Sequence, residues 1–419
     1  MDKKILFITI VPPFPDVQGN RVVTKNYMDL FIGEGYHIDT VIQAGYDEKA
    51  VKDHFSNNVS MFRTNKCIAD EKEIEIEEYK KSIREQMQIF LKSDTADYEI
   101  TTIRELFCAA NHRHPFSFIS NQTVEKAEEL IVENSYSFIV CNYTYTLRVI
   151  KELRKKYKLP PVITITHDAL SRLDIQTLDY GIDTIGRACS KEIEAQCLNF
   201  SDIVCCISKY ELEYFKSIGV VSKRVLVEYD AFEHTGQSEL SAENFNNRKI
   251  CFFASGNPLN EQGIKLFLEN CWTEILKKIP DAKLNIIGDI CQKIQNKNEN
   301  VFLLGRLDES DLINVLKEST IAINPVFLGT GLKIKSVDMI CMGLPFVSFP
   351  CGIEGLEELE GCSFLVARDW NDFTSKVICL LHNEKMWNEI RMQGKKAAKS
   401  RFSKENVYAD LLNAIAAFY

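Results

Sequence analysis

No stretch of the chain approaches the roughly 20 consecutive apolar residues that a bilayer-crossing helix needs, so any membrane contact is expected to be peripheral. The 14 cysteines form no Cys-x-x-Cys pair and show no zinc-type spacing, which argues against a disulfide framework or metal cluster and predicts reduced, mostly buried thiols. Asp-x-Asp occurs nowhere, so a metal-bridged diphosphate is not expected, and no metal or cofactor is implied. An excess of basic charge is also missing. With a formal net charge of -9 and a pI near 5.5, the chain is not a nucleic-acid binder held by counterion release. Met1 to Val11 reads basic and then apolar, but the apolar part is only Ile5 to Val11, and Pro12-Pro13 follows without a small-residue cleavage site. That segment predicts a first strand rather than a signal peptide, and hence a cytoplasmic protein. The sequons at Asn58, Asn121 and Asn142 are then accidental.

What is present is a long alternation. At 419 residues and 45% hydrophobic content, the chain can bury two cores of ordinary size. Short apolar runs alternate with longer amphipathic ones, the pattern of parallel strands covered on both faces by helices. Strands are expected at Lys4 to Val11, Ile38 to Gln43, Phe138 to Asn142, Val162 to Thr166, Ile203 to Ser208 and Val225 to Tyr229. The rhythm restarts at Ile250 to Ala254, Leu284 to Ile287, Phe302 to Leu304, Ile321 to Asn324, Phe346 to Phe349 and Phe364 to Ala367. The fold class is therefore α/β, with two Rossmann-like, doubly wound domains at 1–232 and 249–402, a polar linker at 233–248, and an amphipathic helix within 403–419. Between Gly45 and Ser120 the strand rhythm weakens. There Tyr79, Ile83, Met87, Phe90 and Leu91 fall at helical spacing, as a solvated helix with one buried face or as a lid or membrane-docking helix.

The strongest local signal is Gly329-Thr330-Gly331-Leu332-Lys333-Ile334-Lys335, just after the strand ending near Pro325. A glycine turn entering a helix lets backbone N–H groups approach phosphate oxygens, and two lysines add cationic donors. The plainer alternative is a tight strand-to-helix turn with surface lysines. Asp338 is expected about two helical turns beyond Gly331, on the face of Ile334 and Lys335, where a carboxylate can accept hydrogen bonds from a ribose diol. Its helix is otherwise largely apolar, which argues against a mere surface acid.

From Asn324 this run continues through Met342-Gly343-Leu344-Pro345-Phe346-Val347-Ser348 and Gly352-Ile353-Glu354-Gly355-Leu356, and it resembles the donor-site signature of GT-B-fold, retaining nucleotide-sugar glycosyltransferases of the bacterial group 1 type. The resemblance implies that the glycine turn lies against the donor diphosphate, that lysine supports it, and that the acid at Asp338 holds the ribose. Pro12-Pro13-Phe14-Pro15 with Gly19-Asn20-Arg21 resembles the family's first strand-to-helix loop, which faces the transferred sugar and its phosphate. His167-Asp168, with Arg172 nearby, resembles a His-Asp pair at the cleft floor of one branch and supplies the candidate catalytic residues. Asp202 to Ser208 with Glu211 resembles a recurrent segment before the linker. His112 and His114, flanking Arg113, are read as loop residues or a weak acceptor-phosphate contact. Two features depart from the pattern. Gly256 is followed by Asn257, and Gln262 precedes Gly263, where many members carry arginine and lysine, while Thr330 stands where many have glutamate. Lys333 and Lys335 are left to supply the charge.

The resemblance implies two domains facing across a cleft, the C-terminal helix packing back toward the first, and transfer of a sugar from a nucleotide-diphosphate donor to a glycan, lipid-linked or other hydroxyl acceptor with retained configuration. Surface polysaccharide or glycoconjugate synthesis is the expected setting. A nucleotide-sugar 2-epimerase of the same architecture, or a non-catalytic transferase-like partner subunit, are the alternatives.

Overall fold

The structure, a computed structural model, describes residues 3–15, 19–65, 114–172, 189–232, 235, 240–295, 298–329 and 331–419. The chain divides into two compact units. The first comprises Met1–Val227 with Asp410–Tyr419, and the second Glu228–Ala409.

The first unit is built on a wholly parallel sheet of seven strands: β1 (Lys3–Thr9), β2 (Tyr36–Ile42), β3 (Val59–Arg63), β4 (Ile139–Asn142), β5 (Val162–Ile165), β6 (Ile203–Cys206) and β7 (Lys223–Leu226), in the order β3-β2-β1-β4-β5-β6-β7. In β4, β5 and β6 every residue is buried, which is why these segments read as continuous apolar runs rather than as alternation. Strand β3 corrects the expected set of six. Val-Ser-Met-Phe-Arg sits at the sheet edge, half-buried along most of its length, so its sequence carries neither an apolar run nor a clean alternation. The seventh strand ends at Leu226, before the expected Glu228 and Tyr229.

The second unit repeats the architecture with six parallel strands, β8 (Lys249–Phe253), β9 (Lys283–Ile287), β10 (Val301–Gly305), β11 (Ile321–Asn324), β12 (Phe346–Ser348) and β13 (Phe364–Val366), in the order β10-β9-β8-β11-β12-β13. All six coincide with expected runs. Ala242–Asn247, expected within the linker, is a 3-10 turn whose Phe245 packs into this unit's core beside Trp387. The terminal helix runs Lys404–Ala416. The predicted helical segment from Tyr79 to Leu91 lies outside the described residues.

In each sheet the strand order reverses once at the centre, between β1 and β4 and between β8 and β11. At such a switch the loops leaving the carboxyl ends of two neighbouring strands diverge and leave a crevice, where open α/β sheets bind ligands.

Candidate functional site

At the second switch, the loop leaving β8 carries Gly256 and Asn257. A side chain at Gly256 would put its Cβ 3.3 Å from the Asp289 carbonyl oxygen, so the backbone packs close there. Asn257 Oδ1 accepts the Asn260 N–H at 2.8 Å and caps the helix Pro258–Phe267, the task for which a short polar side chain is suited. The residue standing where the sequence resemblance led to the expectation of an arginine therefore has a structural role. Gly263, in that helix, lies so near the loop leaving β11 that a Cβ would come within 2.8 Å of Pro325 O.

The loop leaving β11 contains the glycine turn. Gly329 and Gly331 both have positive φ, 101° and 79°, a region that side-chain-bearing residues rarely adopt. Gly331 N–H donates to Glu354 Oε1 at 3.1 Å, Lys333 Nζ folds back to Gly331 O at 2.7 Å, and Cys351 Sγ lies 2.9 Å from Gly329 O. Leu332 is half-buried between them, and Thr330 lies outside the described residues. The helix begins only at Ile334, after an extended Lys333 that makes no side-chain cap. This corrects the spacing expected for Asp338, which stands about one turn into the helix because the positive-φ glycines precede it.

Two ionisable groups stand just beyond this turn, in the helix Ile334–Met342. Lys335 Nζ donates to Asn260 Oδ1 at 2.7 Å and sits 4.8 Å from the centre of the Phe252 ring. Desolvation, reinforced by the Lys333 charge, pulls its pKa down to about 7. Asp338 accepts a hydrogen bond from the Tyr229 hydroxyl, and desolvation pushes its carboxyl up to about 7. Its Oδ1 is buried without a hydrogen-bond partner, the condition that an incoming hydroxyl would relieve. Behind the turn, Asn324 Nδ2 bonds Ser336 Oγ at 3.0 Å and Gly352 O at 3.2 Å, tying β11, the helix and the loop after β12 together.

The first unit presents a separate constellation at its own switch. Gly19 opens the helix Gly19–Gly33, and Asn20 Nδ2 reaches Tyr143 Oη at 3.3 Å. Tyr143, with φ of 81°, stacks on His167 at 4.1 Å between ring centroids. Asn142 Nδ2 bonds the Thr9 and Thr24 hydroxyls, each at 2.9 Å, which leaves its Oδ1 to accept from His167 Nε2 at 2.7 Å. That network assigns the imidazole proton to Nε2 and leaves Nδ1 as an acceptor. Burial lowers the His167 pKa to about 3, so the ring is neutral at physiological pH. Asp168 follows, half-buried. Glu211 accepts from the Thr166 hydroxyl at 2.7 Å and Ile207 N–H at 2.9 Å. Arg21 donates to Pro15 O at 3.2 Å, and His114 caps the turn Pro115–Phe118 by accepting the Phe116 N–H. His112 and Arg113 lie outside the described residues.

The candidates thus separate into Gly19, Asn20, His167 and Asp168 on one unit and Gly256, Gly329, Gly331, Leu332, Lys333, Lys335 and Asp338 on the other. Sequence reasoning missed Asn142 and Tyr143 in the first, and Tyr229 and Asn260 in the second. It had Glu354 only as part of a motif, without its bond to the glycine turn. Asn142, Tyr143 and Tyr229 carried a signal, their place at the end of an expected apolar strand, and Asn260 carried none.

Residues 247–383 match the model of the family described as glycosyl transferases group 1. The similarity to that family is confined to the second unit. Over 163 residues the chain is 23% identical to an uncharacterized 44.6 kDa protein in the cps region of Klebsiella pneumoniae, a match covering 37% of this chain and 42% of that one. It is 25% identical over 276 residues to an uncharacterized glycosyltransferase of Methanocaldococcus jannaschii, covering 60% and 65%. The chain thus spans less than two thirds of either relative. Sucrose-phosphate synthase from Thermosynechococcus elongatus superposes with a TM-score of 0.70 at 14% identity, over 99% of this chain and 98% of that one. Anabaena HepE in complex with UDP-glucose gives 0.65 at 14% identity, over 99% of both. The fold shared with these structures is GT-B, two Rossmann-like domains in sequence. No described helix is long and apolar enough to cross a membrane.

Proposed function

We propose that this chain transfers a sugar from a nucleotide-diphosphate donor to a hydroxyl acceptor, glycan or lipid-linked, with retained configuration and without a metal. The observation that carries the donor half is that the loop leaving β11 at the switch carries two positive-φ glycines, Gly329 and Gly331, and leads straight into a helix bearing Lys335 and the partnerless Asp338 Oδ1. An anion at the turn would meet backbone N–H groups and the ammonium, and a ribose diol would satisfy Asp338. HepE, whose fold is shared, was solved with UDP-glucose, and this supports a nucleotide-sugar as the ligand class.

In the transfer itself, the bond between the anomeric carbon and the diphosphate oxygen breaks as the acceptor oxygen bonds that carbon on the same face. The acceptor proton passes to the departing phosphate oxygen. The protein's contribution is electrostatic: Lys335 and the turn amides stabilise charge growing on the leaving group. His167, neutral and donating through Nε2 to Asn142, offers the first unit's switch an acceptor at Nδ1 rather than an acid. Synthesis of a surface polysaccharide or glycoconjugate, on the cytoplasmic side, is the setting this chemistry suits.

The test is thermal stabilisation of the purified chain by UDP-, GDP- and ADP-sugars, repeated on Lys335→Ala and Asp338→Ala. Both substitutions should weaken the shift. An undiminished shift in either variant would remove that residue from the donor site, and an isomerised free nucleotide-sugar as product would replace transfer by epimerisation.

A further inference from the structure

The loop after β12 has a second anchor besides the glycine turn. At the end of the helix Glu384–Arg401, the Arg401 guanidinium binds both carboxylate oxygens of Glu228: Nε to Oε2 at 2.8 Å, and Nη2 to Oε1. Nη2 also donates to Gly355 O at 2.6 Å, and Nη1 to Glu358 Oε1 at 2.7 Å. Both members of the central pair are largely buried, at 14% and 7% side-chain exposure, so the guanidinium is held in one orientation. Gly355 has φ of 83° and directly follows Glu354, whose Oε1 takes the Gly331 N–H. An unbroken series of hydrogen bonds and one peptide link therefore runs from Glu228 through Arg401, Gly355 and Glu354 to the glycine turn.

We propose that Arg401 is a positioning residue for the donor turn, acting through the loop that carries Glu354. This rests on the donor reading given above. The geometry explains why a carboxylate stands beside a turn meant for an anion. Glu354 holds the Gly331 peptide plane, and with it the direction of the neighbouring N–H groups, while Arg401 fixes where Glu354 can reach. A planar fork is needed to hold Glu228 and Gly355 O together, and a lysine cannot reproduce it.

The experiment compares hydrogen–deuterium exchange and UDP and GDP titrations of the full chain with those of Arg401→Lys and Glu354→Ala, the second of which removes the acceptor for the Gly331 N–H. In Arg401→Lys, exchange should accelerate in the peptides covering 329–335 and 350–359 while the other helices and strands keep wild-type protection. Affinity for the nucleoside diphosphate bound by wild type should fall roughly tenfold in both variants, and methylguanidinium should restore it in Arg401→Ala. Unchanged exchange at 329–335, or acceleration spread over the whole second unit, overturns the proposal, the latter by showing a merely structural ion pair. Selective acceleration with unaltered affinity overturns it too. A wild-type protein that binds neither UDP nor GDP sinks the donor reading itself, and the coupling then fails as a donor device whatever the exchange shows.

Discussion

The Lys335 ammonium donates to Asn260 Oδ1 across 2.7 Å while resting 4.8 Å from the centre of the Phe252 ring. An amide and an aromatic face solvate a cation less well than water does, and the result is a pKa lowered to about 7. The sign of the consequence follows directly. An anionic donor selects the protonated lysine, so binding takes up a proton once the free protein has begun to lose it. UDP affinity should hold below pH 7 and weaken above it, by up to about tenfold per pH unit. Asp338, raised to about 7, ionises over the same range, and the carboxylate it forms can accept from both ribose hydroxyls and so opposes the slope. Calorimetric titration from pH 6 to 9 in two buffers of contrasting ionisation heat measures the proton directly. Lys335→Arg should lose the larger part of the slope, and an unaltered slope would show that another group titrates.

A second expectation concerns close approach. Gly263 has room for no Cβ, because one built there would stand 2.8 Å from Pro325 O, at the root of the loop that carries the glycine turn. Gly263→Ala should lower stability by about 1–3 kcal/mol through overpacking, and the compensating shift should fall on that loop. Melting curves with and without UDP check this. Loss of stability with full nucleotide affinity would show that the helix, not the loop, gives way.

Two buried ionisable groups in the first unit pull acid and base stability in opposite directions. Burial raises the Glu211 carboxyl to about 8 from its ordinary 4.5, so the folded protein holds a proton that the unfolded chain has released. That stabilisation is complete below about pH 4.5 and is lost as pH climbs through 8, at about 1.4 kcal/mol per unit at most. His167, lowered from 6.5 to about 3, behaves inversely: its contribution is whole above 6.5 and drains away in acid. Between pH 6.5 and 8.5 the difference in denaturant melts between Glu211→Gln and wild type isolates Glu211, since His167, Lys335 and Asp338 titrate alike in both chains. Over that window Glu211→Gln, which keeps an acceptor for the Thr166 hydroxyl and Ile207 N–H, should gain steadily on wild type. Parallel pH profiles would mean that Glu211 is ionised in the folded state.

How much of this was legible in the sequence depends on distance along the chain. The six strands of the second unit were readable because each is a short apolar run bounded by polar loops, and the glycine turn because its residues are consecutive. Strand β3 was not, since at a sheet edge Val59–Arg63 needs no buried face. Glu354 meets Gly331 across 23 residues, and Asn260 meets Lys335 across 75. Such pairs are made by parallel crossovers that bring strand ends together, and no local pattern announces them. Asn257 shows the converse. Its departure from the family's arginine was visible as a substitution, but its task as a helix cap becomes clear only once Asn260 N–H is seen to point at it.

The Tyr229 hydroxyl gives the last expectation. Tyr229 is buried at 6% exposure and donates to the Asp338 carboxyl, whose Oδ1 has no partner. Removing that donor in Tyr229→Phe leaves both carboxylate oxygens short of hydrogen bonds, which costs about 1–3 kcal/mol of stability and drives the Asp338 pKa further above its ordinary value. A protonated acid can still donate to a ribose hydroxyl but can no longer accept from two. Discrimination between UDP and its 2′,3′-dideoxy analogue should therefore shrink in Tyr229→Phe at pH 7 and recover toward the wild-type ratio at pH 9, where the carboxylate re-forms. In Asp338→Asn it should be small at every pH, because no titration can restore the charge. If Tyr229→Phe kept the wild-type ratio at pH 7, the hydroxyl would be supporting the fold around Asp338 without setting its ionisation, and the ribose assignment would rest on Asp338 alone.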